Sequence, residues 1–375
     1  MKPRLLIFHP ALAPYRVDLF NCLNEVYDLT VVFLFDNVWN HPFDQYVLRA
    51  RLKCHHEYLT NGPCYRGRVF RWGMIGAIRR HKPDVILGYE FSFTTQFLIL
   101  LKVLGFLPQV IGSTIDDSPA ICARVQSQLR RMVRRLSVNR LDRLVVLSNE
   151  VADFYSEKFA FPRNRIVVSP LLQEPDSLRR TPRIEIIAEE YVKKWNLSGK
   201  KIILFVGRFI PEKGLPNFVS TIANSLKSRQ DVRLLLVGDG PDRPIIEAMI
   251  RSTNLQGQVL MPGRFEGADL LAWYLSATGF VLPSLYEPFG AVVNEALIFG
   301  LPVLCSDRAG SASLALESGG RLFDPSNRHA MGEAYSSFVA QLPVLADSKL
   351  DHRPSLAKWN SANFRTEWRK LKWPQ

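Results

Sequence analysis

Cysteine is scarce here and badly spaced for chemistry. The five thiols, Cys22, Cys54, Cys64, Cys122 and Cys305, form no Cys-x-x-Cys pair, and their number is odd. A disulfide scaffold is not expected in a chain this size, so reduced intracellular thiols are the simpler reading. Long apolar runs are missing too. The most apolar stretch beyond the N-terminus, residues 97–107, has Lys102 inside it, and a membrane span needs about 20 apolar residues. The apolar run at 5–8 stops at His9-Pro10. That is too short for a signal peptide and suits a first buried strand. There is no Gly-x-Ser-x-Gly, no convincing Ser/His/Asp set and no internal repeat. The expected location is cytoplasmic, at most peripheral on the inner face of the membrane.

Of the 375 residues, 47% are hydrophobic, which is ample for packed cores and excludes a disordered chain. The length suggests two domains. Lys and Arg number 48 against 35 Asp and Glu. The excess sits mainly in residues 1–180, with 25 basic and 16 acidic residues. Such a surface suits phosphorylated ligands, anionic lipid or nucleic acid. Residues 124–143 hold seven Arg and one acid. At helical spacing Arg130, Arg131, Arg134 and Arg135 form a strip opposed by Leu129, Met132, Val133 and Leu136, which fits a solvated helix face or an anionic membrane surface. No recognition motif or aromatic platform accompanies the charge, so nucleic acid is not an expected partner.

Apolar or β-branched runs near residues 5–8, 29–35, 85–88, 109–113 and 144–148 form one set. Those near 201–206, 233–237, 259–261, 279–282 and 302–305 form another. Runs without alternation, separated by helical stretches, predict parallel strands buried on both faces, in two α/β domains. The boundaries are placed at 1–175, 176–353 and 354–375. A proline-marked linker lies near 170–183, and the tail carries Trp359, Phe364, Trp368 and Trp373.

Three motifs in the second half bear on chemistry. Gly207-Arg208 and Lys213-Gly214 follow a buried strand, and two cations at a strand's C-terminal edge can hold a diphosphate. Val237-Gly238-Asp239-Gly240-Pro241 ends a second strand; alone it reads as a structural turn. Glu287-Pro288-Phe289-Gly290-Ala291-Val292 leads into a helix expected to start near Phe289, with Pro288 at its first position and Glu295 about two turns in. Free amides there can bind oxygens. A carboxylate such as Glu295 on an apolar helix needs a partner.

In order and spacing these motifs resemble the donor-binding half of glycosyltransferase family 4, densely over residues 200–312. In the N-terminal half the likeness rests on strand pattern and Pro14-Tyr15-Arg16. The resemblance implies a GT-B fold: two Rossmann-like, doubly wound domains facing a central cleft, with the final helix packed back on the first. It implies a retaining transferase that uses a nucleotide-diphosphate sugar as co-substrate and no other cofactor. Arg208 and Lys213 would hold the diphosphate and Glu287 the transferred sugar's hydroxyls. Gly207, Phe289, Gly290, Ala291 and Val292 would line the sugar and phosphates. Glu295 would bind the ribose, and Arg264 and Phe265 would lie beside the base.

The sequence departs from the family where a Gly-rich loop and a later His are common. It has residues 9–16 and Ser113-Thr114-Ile115-Asp116-Asp117 instead. Members with a similar Pro-Tyr-Arg build surface polysaccharides or lipid-linked precursors. Tyr15, Arg16, Asp116 and Asp117 are therefore the acceptor candidates, for a glycan or lipid-linked acceptor. His9 could face the same cleft, and Asp116-Asp117 could instead cap the next helix. His55-His56 with Cys54 and Cys64 imitates a metal site in an irregular context; no metal is expected. The rival readings are a nucleotide-sugar epimerase of similar fold, which needs extra acid/base residues not found here, and a non-enzymatic basic membrane- or nucleic-acid-binding protein.

Overall fold

The apolar runs form strands whose residues are buried almost without interruption, as crossover helices on both faces require. The computed structural model describes residues 2–38, 42–65, 68–107, 110–116, 118, 127–174, 178, 181–346 and 353–371. The chain divides into two units, residues 1–174 with 359–375, and residues 175–358.

The first unit begins with β1 (Arg4–His9), α1 (Pro14–Val26), β2 (Asp28–Phe33), α2 (Gln45–Arg51) and β3 (His55–Tyr58). A short antiparallel pair follows, β4 (Cys64–Tyr65) and β5 (Arg68–Val69). Then come α3 (Met74–His81), β6 (Val85–Tyr89), α4 (Phe93–Val103), β7 (Val110–Ile115), α5 (Gln128–Val138), β8 (Arg143–Val146), α6 (Asn149–Phe159) and β9 (Ile166–Val168). Among the described residues the main sheet is parallel, in the order β3-β2-β1-β6-β7-β8-β9. Two of its strands escape the sequence reading for physical reasons. β3 is an edge strand of polar residues, His-His-Glu-Tyr, and β9 is three residues long.

Local capping sets the helix starts. Ser92 and Ser148 accept backbone hydrogen bonds from Thr95 and Val151, both at 3.4 Å. Helix α5 is turned differently from the sequence expectation. Arg134 is buried, its guanidinium over the rings of Phe91 and Tyr155 at 5.3 and 5.8 Å. Met132 and Leu136 face outward instead. Burial of Ser137 and Val138 against the sheet fixes the helix rotation, and the cation–aromatic contacts offset part of the cost of burying an Arg. Residues 124–126 and the side chains of Leu129 and Arg130 lie outside the described residues.

The second unit contains α7 (Pro182–Lys194), β10 (Lys201–Val206), α8 (Leu215–Lys227), β11 (Val232–Val237), α9 (Arg243–Ser252) and β12 (Val259–Gly263). It continues with α10 (Gly267–Leu275), β13 (Gly279–Leu282), α11 (Ala291–Ile298), β14 (Val303–Ser306), α12 (Ala312–Glu317), β15 (Arg321–Phe323) and α13 (Arg328–Gln341). Its parallel order is β12-β11-β10-β13-β14-β15. The chain then returns to the first unit as α14 (Ser361–Trp368). There the Tyr27 hydroxyl donates to the Trp368 carbonyl at 2.6 Å, and Trp368 Nε1 donates to Ser169 Oγ at 2.8 Å.

Candidate functional site

The second sheet grows outward from β10 through β11 to β12, then reverses and grows the other way from β13. Strands β10 and β13 are neighbours, with Ile203 beside Gly279 and Leu204 beside Phe280. Connections diverge at such a reversal and leave a crevice beyond the strands' carboxyl ends. The loops that leave there are 207–214 and 283–290. They are tied together, since Leu285 and Tyr286 donate to the Glu212 carbonyl at 2.8 and 3.1 Å.

Packing accounts for the glycines of the second motif. The β10 and β11 turns bond to each other through Gly207 N to Val237 O at 3.1 Å and Phe209 N to Asp239 O at 2.8 Å. A Cβ on Gly238 would overlap the Gly207 carbonyl, and one on Gly240 the Phe209 carbonyl. The motif therefore lets two loop backbones touch.

Lys213 and Glu287 meet at the crevice as an ion pair, their side chains only 15% and 11% exposed. Ser284 Oγ lies 3.4 Å from the same carboxylate oxygen. Arg208 is exposed and makes no ion pair among the described residues. The helix after this loop begins later than expected, at Ala291, with Gly290 as its cap at φ 91°. Pro288 is therefore a loop residue, and Glu295 is the fifth helical residue. The start is displaced because residues 287–289 are pinned sideways: Gly310 N donates to Glu287 O at 3.1 Å and Ser311 N to Phe289 O at 2.8 Å. The first amides of α11, at Ala291 and Val292, have no intrahelical acceptor.

Glu295 finds its partner in Tyr274, whose buried hydroxyl donates to Oε2 at 2.6 Å. Burial, then the neighbouring carboxylate, pushes that phenol well above its usual range. A carboxylate keeps further lone pairs beyond one such bond. Arg264 is exposed and pairs with Glu266, while the Phe265 ring rests on Tyr191 and Trp273, at 5.8 and 5.6 Å between centroids. The structure thus joins Lys213 to Glu287 directly. It sets Glu295, Arg264 and Phe265 against partners of their own. Ser284 and Tyr274 were not singled out in the sequence, where neither stands in a charged or Gly-rich motif.

The first sheet reverses between β1 and β6, and polar residues gather there as well. His9 is buried with its ring edge-on to Phe20, Phe33 and Tyr89. Its Nδ1 lies 3.1 Å from the Ala11 carbonyl, and among the described residues its Nε2 has no hydrogen-bond partner. Burial, and then the charge of Arg16, hold the imidazole pKa far down, at about 3. Arg16, in the first turn of α1, forms an ion pair with Asp116. Asp116 therefore serves Arg16, and its backbone N–H donates to Glu90 Oε1 at 2.7 Å. Tyr15 is half-buried, the Arg16 guanidinium 5.9 Å from its ring centre. Asp117 lies outside the described residues. His9, Arg16, Thr114, Asp116, Ser169 and Trp368 line a small cavity.

The two histidines of β3 point apart, as neighbours on a strand must. The His55 ring meets His81, and that of His56 meets Phe33 and Tyr58. Among the described residues no three His, Cys, Asp or Glu groups are placed to hold a metal ion, and no helix is long and apolar enough to cross a membrane.

Residues 188–348, which contain the Lys213–Glu287 crevice, match the family described as Glycosyl transferases group 1. The chain is similar to sucrose-phosphate synthase from Thermosynechococcus elongatus, with a TM-score of 0.65 and 18% identity over 99% of this chain and 95% of that one. It is also similar to Anabaena HepE in complex with UDP, with a TM-score of 0.69 and 16% identity over 99% and 96%. The fold is that of the GT-B glycosyltransferases. It is 30% identical over 164 residues to a 2-deoxystreptamine N-acetyl-D-glucosaminyltransferase of Niallia circulans, covering 44% of this chain and 42% of that one. It is 27% identical over 249 residues to a GDP-mannose-dependent alpha-mannosyltransferase of Mycolicibacterium smegmatis, covering 64% and 60%. The matched segments span about half the length of these curated relatives.

Proposed function

We propose that the protein transfers a sugar from a nucleoside-diphosphate sugar to an acceptor hydroxyl, with retention of configuration and no covalent protein intermediate. The observation that carries this reading is the convergence of Lys213 and Glu287 at the sheet reversal, inside the segment that matches the group 1 family. Without ligand, Glu287 balances the charge of Lys213. An arriving diphosphate draws on Lys213 and on solvated Arg208. As the glycosidic bond breaks, negative charge grows on the leaving oxygen. The two cations and the amides of Ala291 and Val292 stabilise that charge more than they stabilise the intact donor.

Glu287 accepts from the sugar's hydroxyls, and Glu295 from the ribose while keeping Tyr274. Gly207, Phe289 and Gly290 let backbone approach the phosphates. Arg264 and Phe265 flank the base. Cations and amides supply the charge stabilisation, so this reading needs no metal. Tyr15, Arg16, Asp116 and Asp117 serve a glycan or lipid-linked acceptor, in polysaccharide or lipid-linked glycan synthesis at the inner membrane face. The basic segment 124–143 adds peripheral contact with anionic lipid. The UDP complex of HepE and the GDP-mannose dependence of the mycobacterial relative both favour a nucleoside-diphosphate donor.

A thermal-shift panel of UDP-, GDP- and ADP-sugars tests the reading. One base series should raise the melting temperature, because a ligand that binds only the folded state stabilises it. No response beyond that to matched polyanions would sink it.

A further inference from the structure

Helix α4 is apolar on both sides. Thr94, Thr95, Leu98 and Ile99 are buried against the sheet. Leu100, Val103, Leu104 and Phe106, on the opposite side and in the turn that ends the helix, are 51%, 57%, 58% and 70% exposed. A helix apolar all round is at home in a core or in lipid, and an exposed cluster of this kind marks an interaction surface. The turn is held in place. Gly105 stands at φ 79°, and Gly105 N donates to Lys102 O at 3.0 Å while Phe106 N donates to Leu101 O at 2.9 Å. These bonds fix Phe106 beside the helix end. The one charged residue of α4, Lys102, follows buried Leu98 and Ile99 by one turn and is ion-paired with Asp142.

Helix α5 packs on the same sheet face, sharing a core with α4 through Leu98, Ile99 and Val138. Gln96 Nε2 donates to Ser137 Oγ at 2.8 Å between them. Outward on α5 stand Met132 and Leu136, each 54% exposed, next to exposed Arg131 and Arg135. Residues 127–141 contain no acid. The apolar strip is thus bordered by cations of one sign.

We propose that the outer face of α4 and α5 docks on an anionic lipid bilayer. Leu100, Val103, Leu104 and Phe106 enter the acyl region, and Arg131 and Arg135 sit at the level of the lipid phosphates. This deepens the membrane component of the reading above and rests on that component alone, not on the donor chemistry. Charge chooses the occupant. A second copy meeting this face would set Arg131 and Arg135 against their own like, whereas anionic headgroups supply the missing sign.

The test is co-sedimentation of the full chain with phosphatidylcholine vesicles, with and without phosphatidylglycerol, at low and high salt. The variants are Leu104→Glu/Phe106→Glu and Arg131→Glu/Arg135→Glu, with Phe106→Ser as a milder change; circular dichroism checks folding. Wild type should bind the phosphatidylglycerol vesicles and release them as salt screens the arginines. Each double variant should bind about tenfold more weakly or worse, with the donor-induced thermal shift unchanged. Wild-type binding by Leu104→Glu/Phe106→Glu overturns insertion. No wild-type binding at low salt overturns the docking surface. A dimer that this variant dissolves, with vesicle binding intact, assigns the face to a second copy and also overturns the proposal. A retained donor shift without vesicle binding refutes the docking alone. Vesicle binding without a donor shift refutes the transferase reading alone.

Discussion

The two sheets are wound alike, yet their reversal points are built in opposite ways. At the first, the charged groups are matched to one another. Arg16 pairs with Asp116, and burial strips His9 of its charge. The charge of Asp116, with burial second, keeps the Tyr89 phenol neutral. At the second, loop backbones are thinned by glycine, Arg208 stands exposed, and Lys213 is paired with the carboxylate of Glu287. Topology leaves a crevice at either place. What fills it separates a cluster of buried, matched charges from a loop pair with an exposed cation.

The sharpest break of this comparison is Arg16→Ala. It leaves Asp116 without its buried partner, which typically costs about 3–5 kcal/mol. Urea unfolding should show the loss, and Arg16→Ala/Asp116→Ala should recover part of it. A change below about 1 kcal/mol would make the pair an ordinary surface contact.

Next in size is a pH effect at His9. The unfolded imidazole takes a proton below about 6.5, and the folded one only near pH 3. Between those values the unfolded state binds more protons, so stability falls as pH falls. From pH 7 to pH 4 the loss from this group is on the order of 3 kcal/mol. His9→Phe should flatten that part of the profile in denaturation series; equal slopes for the two proteins would remove His9 from the account.

At the second reversal, Arg208→Ala and Lys213→Ala should each lower transfer by about ten- to a hundred-fold, as expected for one charge-assisted bond of about 1.5–3 kcal/mol. They should differ in stability. Arg208→Ala should stay within about 0.5 kcal/mol of wild type, whereas Lys213→Ala also leaves Glu287 unpaired and should melt earlier. Equal melting of the two, or unchanged transfer by both, would erase the contrast drawn between exposed and paired cation.

The smallest expected effect is that of Glu287→Gln. Turnover should fall by more than tenfold, about 1.4 kcal/mol of transition-state stabilisation, with free-nucleotide affinity held. Titration calorimetry with the nucleotide, run beside the transfer assay, separates the two. Near-normal turnover would leave Glu287 only as the counter-charge of Lys213.

Much of this was readable beforehand, for a definite reason. The central strands are buried on both faces, so their composition announces them. β3 sits at an edge and carries two histidines, a glutamate and a tyrosine, and nothing local marks it as a strand. Arg208, Lys213 and Glu287 stand out in the sequence because they follow apolar runs at short spacing. Ser284 and Tyr274 do not, because a buried hydroxyl beside a carboxylate leaves no periodic or charged trace. The outward turn of Met132 and Leu136 was missed since Arg134, the better solvated side chain by type, is the one that goes in.

The amino-acid order by itself determined the strand-and-helix alternation, the division into two α/β units and the sequence of Gly- and Glu-bearing loops. These depend on hydrophobic runs and turn residues a few positions apart. Tertiary structure alone decided that Lys213 is matched by Glu287, 74 residues on, and Arg16 by Asp116, 100 residues on. Tyr274 was likewise given to Glu295, 21 residues away. Such pairs arise where right-handed crossovers bring distant strand ends side by side, and a charge's partner is fixed by that through-space neighbourhood rather than by anything written next to it in the chain.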